Sequence, residues 1–176
     1  MRFTVARFAN IFLALLLMSA FAASSAAKER VDVVSQRQPS EDKLIKSEVE
    51  TAVSMLQAIF AKHQEGEMSL AAAKKLGADL LRELRYGSEG YFWADTTEGI
   101  NVVLYGRKDV EGKNRIDAKD QNGTLFIREF LKTAKNGGGY VEYWFPKRGE
   151  SVARPKRSYV LLFKPFGWII GSGYYR

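Results

Sequence analysis

Residues that could carry catalytic chemistry are scarce in this sequence of 176 residues. It contains no cysteine, which excludes thiol nucleophiles, thiolate metal ligands and disulfides. Its single histidine, His63, lies in a predicted break between two helices and has no second histidine with which to share a metal ion. Asp117 and Asp120 are close in sequence but fall in a predicted loop, where solvation or turn capping explains them. These residues predict that the protein is not an enzyme and needs no metal or other cofactor.

Basic side chains offer a second kind of chemistry, the binding of an anion. The sequence has 27 Lys and Arg against 20 Asp and Glu, a formal net charge of +7. The densest basic stretch runs from Lys147 to Arg157, and its simplest interpretation is a solvated loop between two strands. Elsewhere lysines alternate with acids, and a predicted export signal argues against nucleic acid as a partner. The net positive charge therefore does not indicate which anion, if any, the protein binds.

The first 27 residues have the layout of a secretory signal peptide. Two arginines precede an apolar run over residues 8–23, and small residues follow before the chain turns polar at Lys28. The apolar run has 16 residues, whereas a membrane-spanning helix needs roughly 20. We therefore expect cleavage of the signal peptide after Ala22 or Ala27, which leaves a periplasmic mature protein. An uncleaved membrane anchor is the alternative.

Two amphipathic helices are predicted after a polar segment over residues 28–40. Ser40 is placed to cap the first, whose apolar residues recur every three or four positions between Glu41 and Lys62. Ser69 is placed to cap the second, which ends near Gly87. The apolar stripe of the longer helix predicts that it packs on a sheet.

From Gly90 onward the hydrophobic pattern indicates strands. Five are predicted, at Tyr91–Ala94, Ile100–Tyr105, Tyr140–Phe145, Ser158–Phe163 and Trp168–Tyr174. The tight turns between several of them indicate an antiparallel sheet and an α+β fold. Both faces of the strands are apolar, so we expect the N-terminal helix pair to cover one face. The insert over residues 106–136, with a short helix from Thr124 to Asn136, should cover the other and enclose a cavity beside Trp93 or Tyr143.

Seven short motifs resemble those of the single Cache domain, an extracytoplasmic PAS-like domain that binds small ligands in bacterial chemoreceptors and histidine kinases. They are Arg85 to Gly87, Gly90 to Trp93, Glu111 to Asn114, Asp120 to Gly123, Gly139 to Lys147, Pro155 to Tyr159 and Phe166 to Gly173. With the preceding helices, the resemblance implies one Cache domain over residues 41–176. Leu104-Tyr105 departs from the family pattern, because many members carry a His-Pro pair there. The chain stops at Arg176, where receptors continue into a membrane helix, so the resemblance is to a stand-alone exported form.

The resemblance implies a pocket for a small organic molecule, often a short carboxylate, held by strand aromatics and a few basic or hydroxyl groups. The matching positions are Tyr91, Trp93, Tyr105, Arg107, Tyr143, Lys156 and Tyr159. An alternative is that the aromatic residues are ordinary core residues. The corresponding alternative for the two basic residues is that they are solvated surface charges. Lys156 lies in the shared Pro-Lys-x-Ser-Tyr motif. We therefore expect it to meet the ligand carboxylate, with help from Tyr159 or Tyr143.

On this resemblance the leading function is an exported sensor domain that captures a short organic carboxylate for a signalling or uptake partner. The partner would be a membrane receptor, a histidine kinase or a transporter, and two chains would pair through the N-terminal helix. The alternative is a ligand-independent structural or adaptor domain that binds a membrane receptor or kinase. Thermal stabilisation by small molecules separates these two functions.

Overall fold

A computed structural model describes residues 36–176 of the chain. The predicted signal peptide, residues 1–27, lies outside the described residues. The compact unit that contains the sheet runs from Asp42 to Arg176. No helix among the described residues is long and apolar enough to cross a bilayer.

Within residues 36–176, two helices precede the sheet. Helix α1 covers residues 36–64 and α2 covers Leu70–Glu83. Residues 36–40, which the sequence pattern placed before the first helix, are thus helical, and Ser40 is not the N-cap. Its hydroxyl instead donates at 2.7 Å to a backbone carbonyl of the preceding turn, a bond that serine makes inside helices. Ser69 does cap α2, its hydroxyl accepting at 3.1 Å from the N–H group three residues on.

Seven strands follow. A two-stranded ribbon is formed by β1 (Arg85–Tyr86) and β2 (Gly90–Tyr91), and the main sheet by β3 (Trp93–Thr96), β4 (Asn101–Leu104), β5 (Gly139–Pro146), β6 (Ala153–Phe163) and β7 (Trp168–Tyr175). The main sheet has the spatial order β4-β3-β7-β6-β5, and every neighbouring pair is antiparallel. The predicted α+β class and five-stranded antiparallel sheet are therefore confirmed.

Strands β6 and β3 extend at least two residues beyond their predicted bounds at one end. Strand β6 begins at Ala153, because its first residues pair in register with the end of β5. Lys156 is therefore a strand residue. The interpretation of residues 147–157 as a solvated loop is wrong from Ala153 onward. Strand β3 continues to Thr96, because it pairs along its whole length with β7. Asp95, which follows the end of the predicted strand Tyr91–Ala94, thus lies in a strand.

Separate apolar cores cover the two faces of the sheet, as predicted. One lies under α1 and α2 and includes Leu56, Leu81 and Phe163. The other lies under α3 (Phe126–Lys135), the helix of the insert, and includes Trp93. Because side chains alternate across a strand, successive residues of β6 contribute to opposite cores.

Candidate ligand-binding site

The register of the sheet places Lys156 among tyrosines. On β6 it lies directly opposite Tyr143 of β5 and Tyr175 of β7. Its ammonium donates a hydrogen bond to the hydroxyl of Tyr91, on the ribbon strand β2, at 2.6 Å. The lysine is only 2% exposed. Three strands far apart in sequence therefore surround one buried cation.

Aromatic rings surround the Lys156 ammonium. Its Nζ atom lies 4.4 Å from the centre of the Tyr91 ring, 4.9 Å from that of Tyr175 and 5.5 Å from that of Phe145, all within cation–π range. Burial alone would lower the pKa of the ammonium, but the hydroxyls of Tyr143, Tyr91 and Tyr175 outweigh burial and raise it. The group is therefore protonated at neutral pH. Within residues 36–176 it has Tyr91 as its hydrogen-bond partner and no carboxylate as ion-pair partner.

A small cavity adjoins this ammonium. It is lined by Tyr91, Trp93, Asp95, Leu104, Arg115, Phe126, Phe130, Tyr143, Phe145 and Lys156. Stacking of Trp93 on Phe130, with ring centres 4.4 Å apart, closes part of the wall. The remaining volume is about 10 Å³, enough for about one water molecule. The cavity expected between sheet and insert is thus present, with both Trp93 and Tyr143 in its wall, but aromatic side chains almost fill it.

Two polar atoms of the wall are buried without a hydrogen-bond partner among the described residues. They are the indole Nε1 of Trp93 and the Oδ2 oxygen of Asp95. The other oxygen of Asp95 accepts from Asn101 Nδ2 at 2.9 Å. Burial raises the pKa of Asp95 to about 6, although the nearby Arg115 guanidinium acts to lower it. Buried polar atoms are nearly always paired, so these two atoms are exceptions to the rule.

Four of the seven residues predicted for the site line the cavity: Tyr91, Trp93, Tyr143 and Lys156. Tyr105 lies beside it, with its ring centre 5.6 Å from that of Tyr91. The structure thus brings together the residues of the first strand region with those of β5 and β6.

Arg107 and Tyr159 lie away from the cavity. The Arg107 side chain is 50% exposed and pairs with Asp109 at 2.9 Å. Tyr159 is three residues from Lys156 on β6, so strand alternation turns it to the opposite face, where it packs in the core under α1 and α2. The expectation that Tyr159 assists Lys156 is therefore wrong. Tyr143, the other tyrosine expected to assist, lies on the same side of the sheet as Lys156.

Three polar residues in or beside the cavity wall were not predicted from the sequence. Asp95 follows Trp93 by two positions, and in a strand this spacing places two side chains on the same face. This signal was obscured because Asp95 begins a segment that is typical of a turn. Tyr175 is the cross-strand neighbour of Lys156, and only the register reveals it. Arg115 comes from the irregular part of the insert, where no periodicity gives a signal.

A larger cleft also has Tyr91 in its wall. Its volume is about 260 Å³, and it is lined by Ser88, Glu89, Tyr91, Tyr105, Lys147, Arg148, Glu150 and Tyr175. Two guanidinium groups lie within cation–π range of the Tyr105 ring centre, that of Arg85 at 3.4 Å and that of Arg148 at 4.3 Å. This cleft offers a route from solvent to Tyr91. Within residues 36–176, no group of three His, Asp or Glu side chains could hold a metal ion.

Comparison with curated proteins finds sensory receptors. The chain is 32% identical over 128 residues to the methyl-accepting chemotaxis protein McpP of Pseudomonas putida, covering 72% of this chain and 24% of McpP. It is 33% identical over 124 residues to the sensor histidine kinase MctS of Rhizobium johnstonii, covering 70% of this chain and 26% of MctS. The chain therefore spans about a quarter of the length of these relatives.

Comparison with solved structures finds domains of the same size. A periplasmic sensor domain of a chemotaxis protein is 32% identical with a TM-score of 0.76, covering 78% of this chain and 96% of that domain. A Cache chemosensory domain, described for its recognition of carboxylic acids, is 30% identical with a TM-score of 0.76, covering 80% and 96%. The family model described as Single Cache domain 2 matches residues 38–176. The resemblance seen in the sequence motifs is thus confirmed, and the chain belongs to the single Cache domain 2 family of sensor domains.

Proposed function

We propose that this protein is an exported, non-catalytic sensor domain that binds a short organic carboxylate in the periplasm. The observation that carries the proposal is the Lys156 ammonium, which is buried beside a cavity and has no carboxylate partner among the described residues. A buried cation without a counter-charge is unfavourable. A ligand carboxylate supplies that counter-charge from outside the chain.

The groups around the cavity suit a carboxylate. Lys156 supplies the charge, and Tyr91 and Tyr143, which line the same cavity, carry hydroxyls that can act as neutral donors. Charge-assisted hydrogen bonds of this kind contribute on the order of 1.5–3 kcal/mol each. The rings of Phe126 and Phe130 provide an apolar wall for a short hydrocarbon chain, roughly two to four carbons long. Because the cavity holds about one water molecule, these rings must move apart when the ligand binds.

Export and signalling complete the proposal. The signal-peptide pattern of residues 1–27 supports release into the periplasm. The similar proteins are a chemotaxis receptor and a sensor histidine kinase, which supports a signalling role for this chain. We propose that the ligand-bound protein acts on a membrane receptor, histidine kinase or transporter, and that two chains pair through the N-terminal helix.

One observation favours a second function. The cavity is almost filled by the protein's own side chains, as it would be in a structural or adaptor domain that binds a membrane receptor or kinase without any ligand.

Thermal unfolding of the mature protein, purified from the periplasm, separates the two functions. We expect acetate, propanoate, butanoate or succinate to stabilise it, by about 2.7 kcal/mol at a concentration 100 times the dissociation constant. Propylamine, which carries the opposite charge, serves as the matched control and should have no effect. If none of the acids stabilises the protein, the adaptor function is favoured and the sensor function is rejected.

A further inference from the structure

We propose that residues 147–152, the loop between β5 and β6, form a gate that controls access to the buried Lys156 site. The inference rests on the proposed function, because it takes Lys156 as the position where a ligand binds. Lys156, Tyr91 and Tyr143 are all buried, and the cavity beside them holds about one water molecule. A ligand can therefore reach the ammonium only if part of the surrounding wall moves.

Two clefts share residues with the wall of this cavity. The larger cleft, of about 260 Å³, shares Tyr91 with it, and gate residues form another part of the cleft lining. A second cleft, of about 150 Å³, shares Tyr143 and Lys156 with it. Entry from either side requires that the wall between cleft and cavity open, so the route depends on how firmly each wall is held.

The wall of the second cleft is fixed by bonds to the backbone. The Asp120 carboxylate accepts from the N–H groups of Asn122 and Thr124, each at 2.9 Å. It also accepts from the N–H group of Trp144 on β5 at 3.0 Å, which ties the insert to the sheet. Opening this wall would break several charge-assisted hydrogen bonds together.

The gate, in contrast, is latched by side chains at the surface. The Lys147 ammonium pairs with Glu89, in the turn between β1 and β2, at 2.9 Å, and the two side chains are 30% and 70% exposed. The Arg148 guanidinium donates to the hydroxyl of Tyr105. These two contacts are the latch. Because exposed ion pairs contribute little to stability, this wall opens more readily than that of the second cleft.

The backbone of the gate leaves it free to move. Within the loop, the N–H group of Glu150 donates to the carbonyl of Lys147 at 2.9 Å and closes a turn. Among residues 36–176, no backbone–backbone hydrogen bond joins residues 147–152 to another element. The loop can therefore swing as a unit about the ends of β5 and β6, where Pro146 pairs with Ala153.

A chain of contacts leads from the gate to the ammonium. Arg148 holds the hydroxyl of Tyr105, whose ring centre lies 5.6 Å from that of Tyr91. Tyr91 accepts from Lys156 at 2.6 Å and lines both the larger cleft and the cavity. When the gate lifts, Tyr105 is released and Tyr91 can turn aside, which uncovers Lys156. Loop movements of this kind set the rates at which ligands enter and leave buried sites.

Thiol labelling tests the gate without any ligand. The sequence contains no cysteine, and Leu104→Cys places one thiol in the cavity wall, at a buried position that lines neither cleft. We expect a small anionic methanethiosulfonate reagent to modify it about fivefold or more faster when Glu89→Gln and Tyr105→Phe remove both latch contacts. Intact-mass measurement follows the reaction, and urea unfolding corrects the rates for differences in global stability.

Two variants in the same Leu104→Cys background are the matched controls. Glu67→Gln breaks another exposed ion pair, with Lys62 at the end of α1, and should leave the rate within about twofold of that of its parent. Asp120→Asn weakens the wall of the second cleft and should accelerate labelling less than loss of the latch does. The inference is overturned if loss of the latch changes the corrected rate by less than about twofold, or if either control accelerates labelling as much.

Ligand exchange supplies a second readout. Glu89→Gln should raise the association and dissociation rates of propanoate by a similar factor of about two to five and leave its Kd within about twofold, because Glu89 guards the route without contacting the carboxylate. Stopped-flow fluorescence of Trp93, in the cavity wall, measures these rates. A changed Kd with unchanged rates would make Glu89 a ligand contact and overturn the gate.

The two readouts separate this inference from the proposed function. If loss of the latch accelerates labelling but no short acid binds, the gate stands as a moving part and the carboxylate site fails. If the acids bind but neither labelling nor exchange responds to loss of the latch, the carboxylate site stands and the gate fails.

Discussion

The Nζ atom of Lys156 lies 2.6 Å from the hydroxyl oxygen of Tyr91, although the two residues are 65 positions apart in the chain. Burial would raise the pKa of Tyr91, but the neighbouring Lys156 ammonium outweighs burial and lowers it. The pKa of Lys156 is raised, so the proton stays on the lysine. Because Tyr91 accepts from the lysine, its own O–H remains available to donate to a ligand carboxylate.

The first prediction concerns Lys156→Met, which replaces the ammonium by an apolar chain of similar length. Carboxylate affinity should fall by about 10- to 100-fold, since one charge-assisted hydrogen bond of about 1.5–3 kcal/mol is lost. The free energy of unfolding of the ligand-free protein should change little, because the methionine fills the same buried space, and the cost of burying the cation is lost together with its cation–π contacts. Calorimetric titration and urea unfolding measure the two quantities.

Lys164→Met is the matched control for this variant. Lys164 is exposed in the turn before β7, so its replacement should change neither carboxylate affinity nor stability. Unchanged affinity in Lys156→Met would show that the carboxylate binds elsewhere.

The second prediction concerns Asp95 and pH. Because burial raises the pKa of Asp95 from 3.8 to about 6, the folded state holds this proton more tightly than the unfolded state. The ligand-free protein should therefore lose up to about 3 kcal/mol from this group as pH rises from 4 to above 6. Asn101 donates a hydrogen bond to this carboxylate, and the nearby Arg115 guanidinium acts to lower its pKa, but burial outweighs both.

Asp95→Asn isolates this contribution, because it keeps the shape of the side chain but cannot ionise. Its free energy of unfolding in urea should exceed that of the wild type by roughly 2–3 kcal/mol at pH 7.5 and match it near pH 4. A difference between the two proteins that does not vary with pH would mean that Asp95 does not titrate in this range.

The architecture could be predicted because its signals are local. Ser69 caps α2 through a bond to a group three residues away, and the strands and the turns between them follow one another along the chain. The burial of Lys156 could not be predicted, because it depends on Tyr143 and Tyr175, which only the strand register brings beside it. Its neighbours in sequence, a proline and two arginines, are typical of a loop.

Asp95 and Tyr159 show two different failures of sequence reasoning. Asp95 stands in the segment Asp-Thr-Thr-Glu-Gly, which is typical of a turn, but pairing of β3 with β7 extends the strand past it. Tyr159 was grouped with Lys156 by motif, although a separation of three residues on a strand predicts opposite faces. The first error required tertiary information, whereas the second was avoidable.

The third prediction concerns the ion pair between α1 and β6. Arg157 donates to both carboxylate oxygens of Asp42, at 2.8 and 3.0 Å, and Tyr174 donates to one of them at 3.1 Å. Both charged side chains are less than one-fifth exposed. Asp42→Asn should therefore lower the free energy of unfolding by about 1–3 kcal/mol at pH 7, measured in urea.

The loss in Asp42→Asn should also depend on pH. Burial would raise the pKa of Asp42, but the hydrogen bonds from Arg157 and Tyr174 outweigh burial and lower it. The contribution of Asp42 to the free energy of unfolding is therefore fully present when the pH is above the ordinary aspartate pKa. It disappears as the pH falls through the lowered pKa of Asp42. Glu150→Gln breaks an exposed pair with Arg154 and should change stability by about 1 kcal/mol or less. Equal losses in the two variants would contradict this ranking.

The fourth prediction concerns the backbone behind the cavity. Gly171 of β7 lies opposite Trp93 of β3, and a Cβ atom added to it would stand only 2.1 Å from the indole ring. The ring cannot move back freely, because it is buried and stacks on Phe130. Gly171→Ala should therefore lower the free energy of unfolding by about 1–3 kcal/mol through overpacking. Because the displaced indole would also enter the cavity, carboxylate affinity should fall with it.

Gly139→Ala is the matched control, since its Cβ would meet only a methyl group of Thr133 at 3.0 Å. Urea unfolding and calorimetric titration of both variants measure the two effects, and full carboxylate affinity in Gly171→Ala would place the ligand away from Trp93.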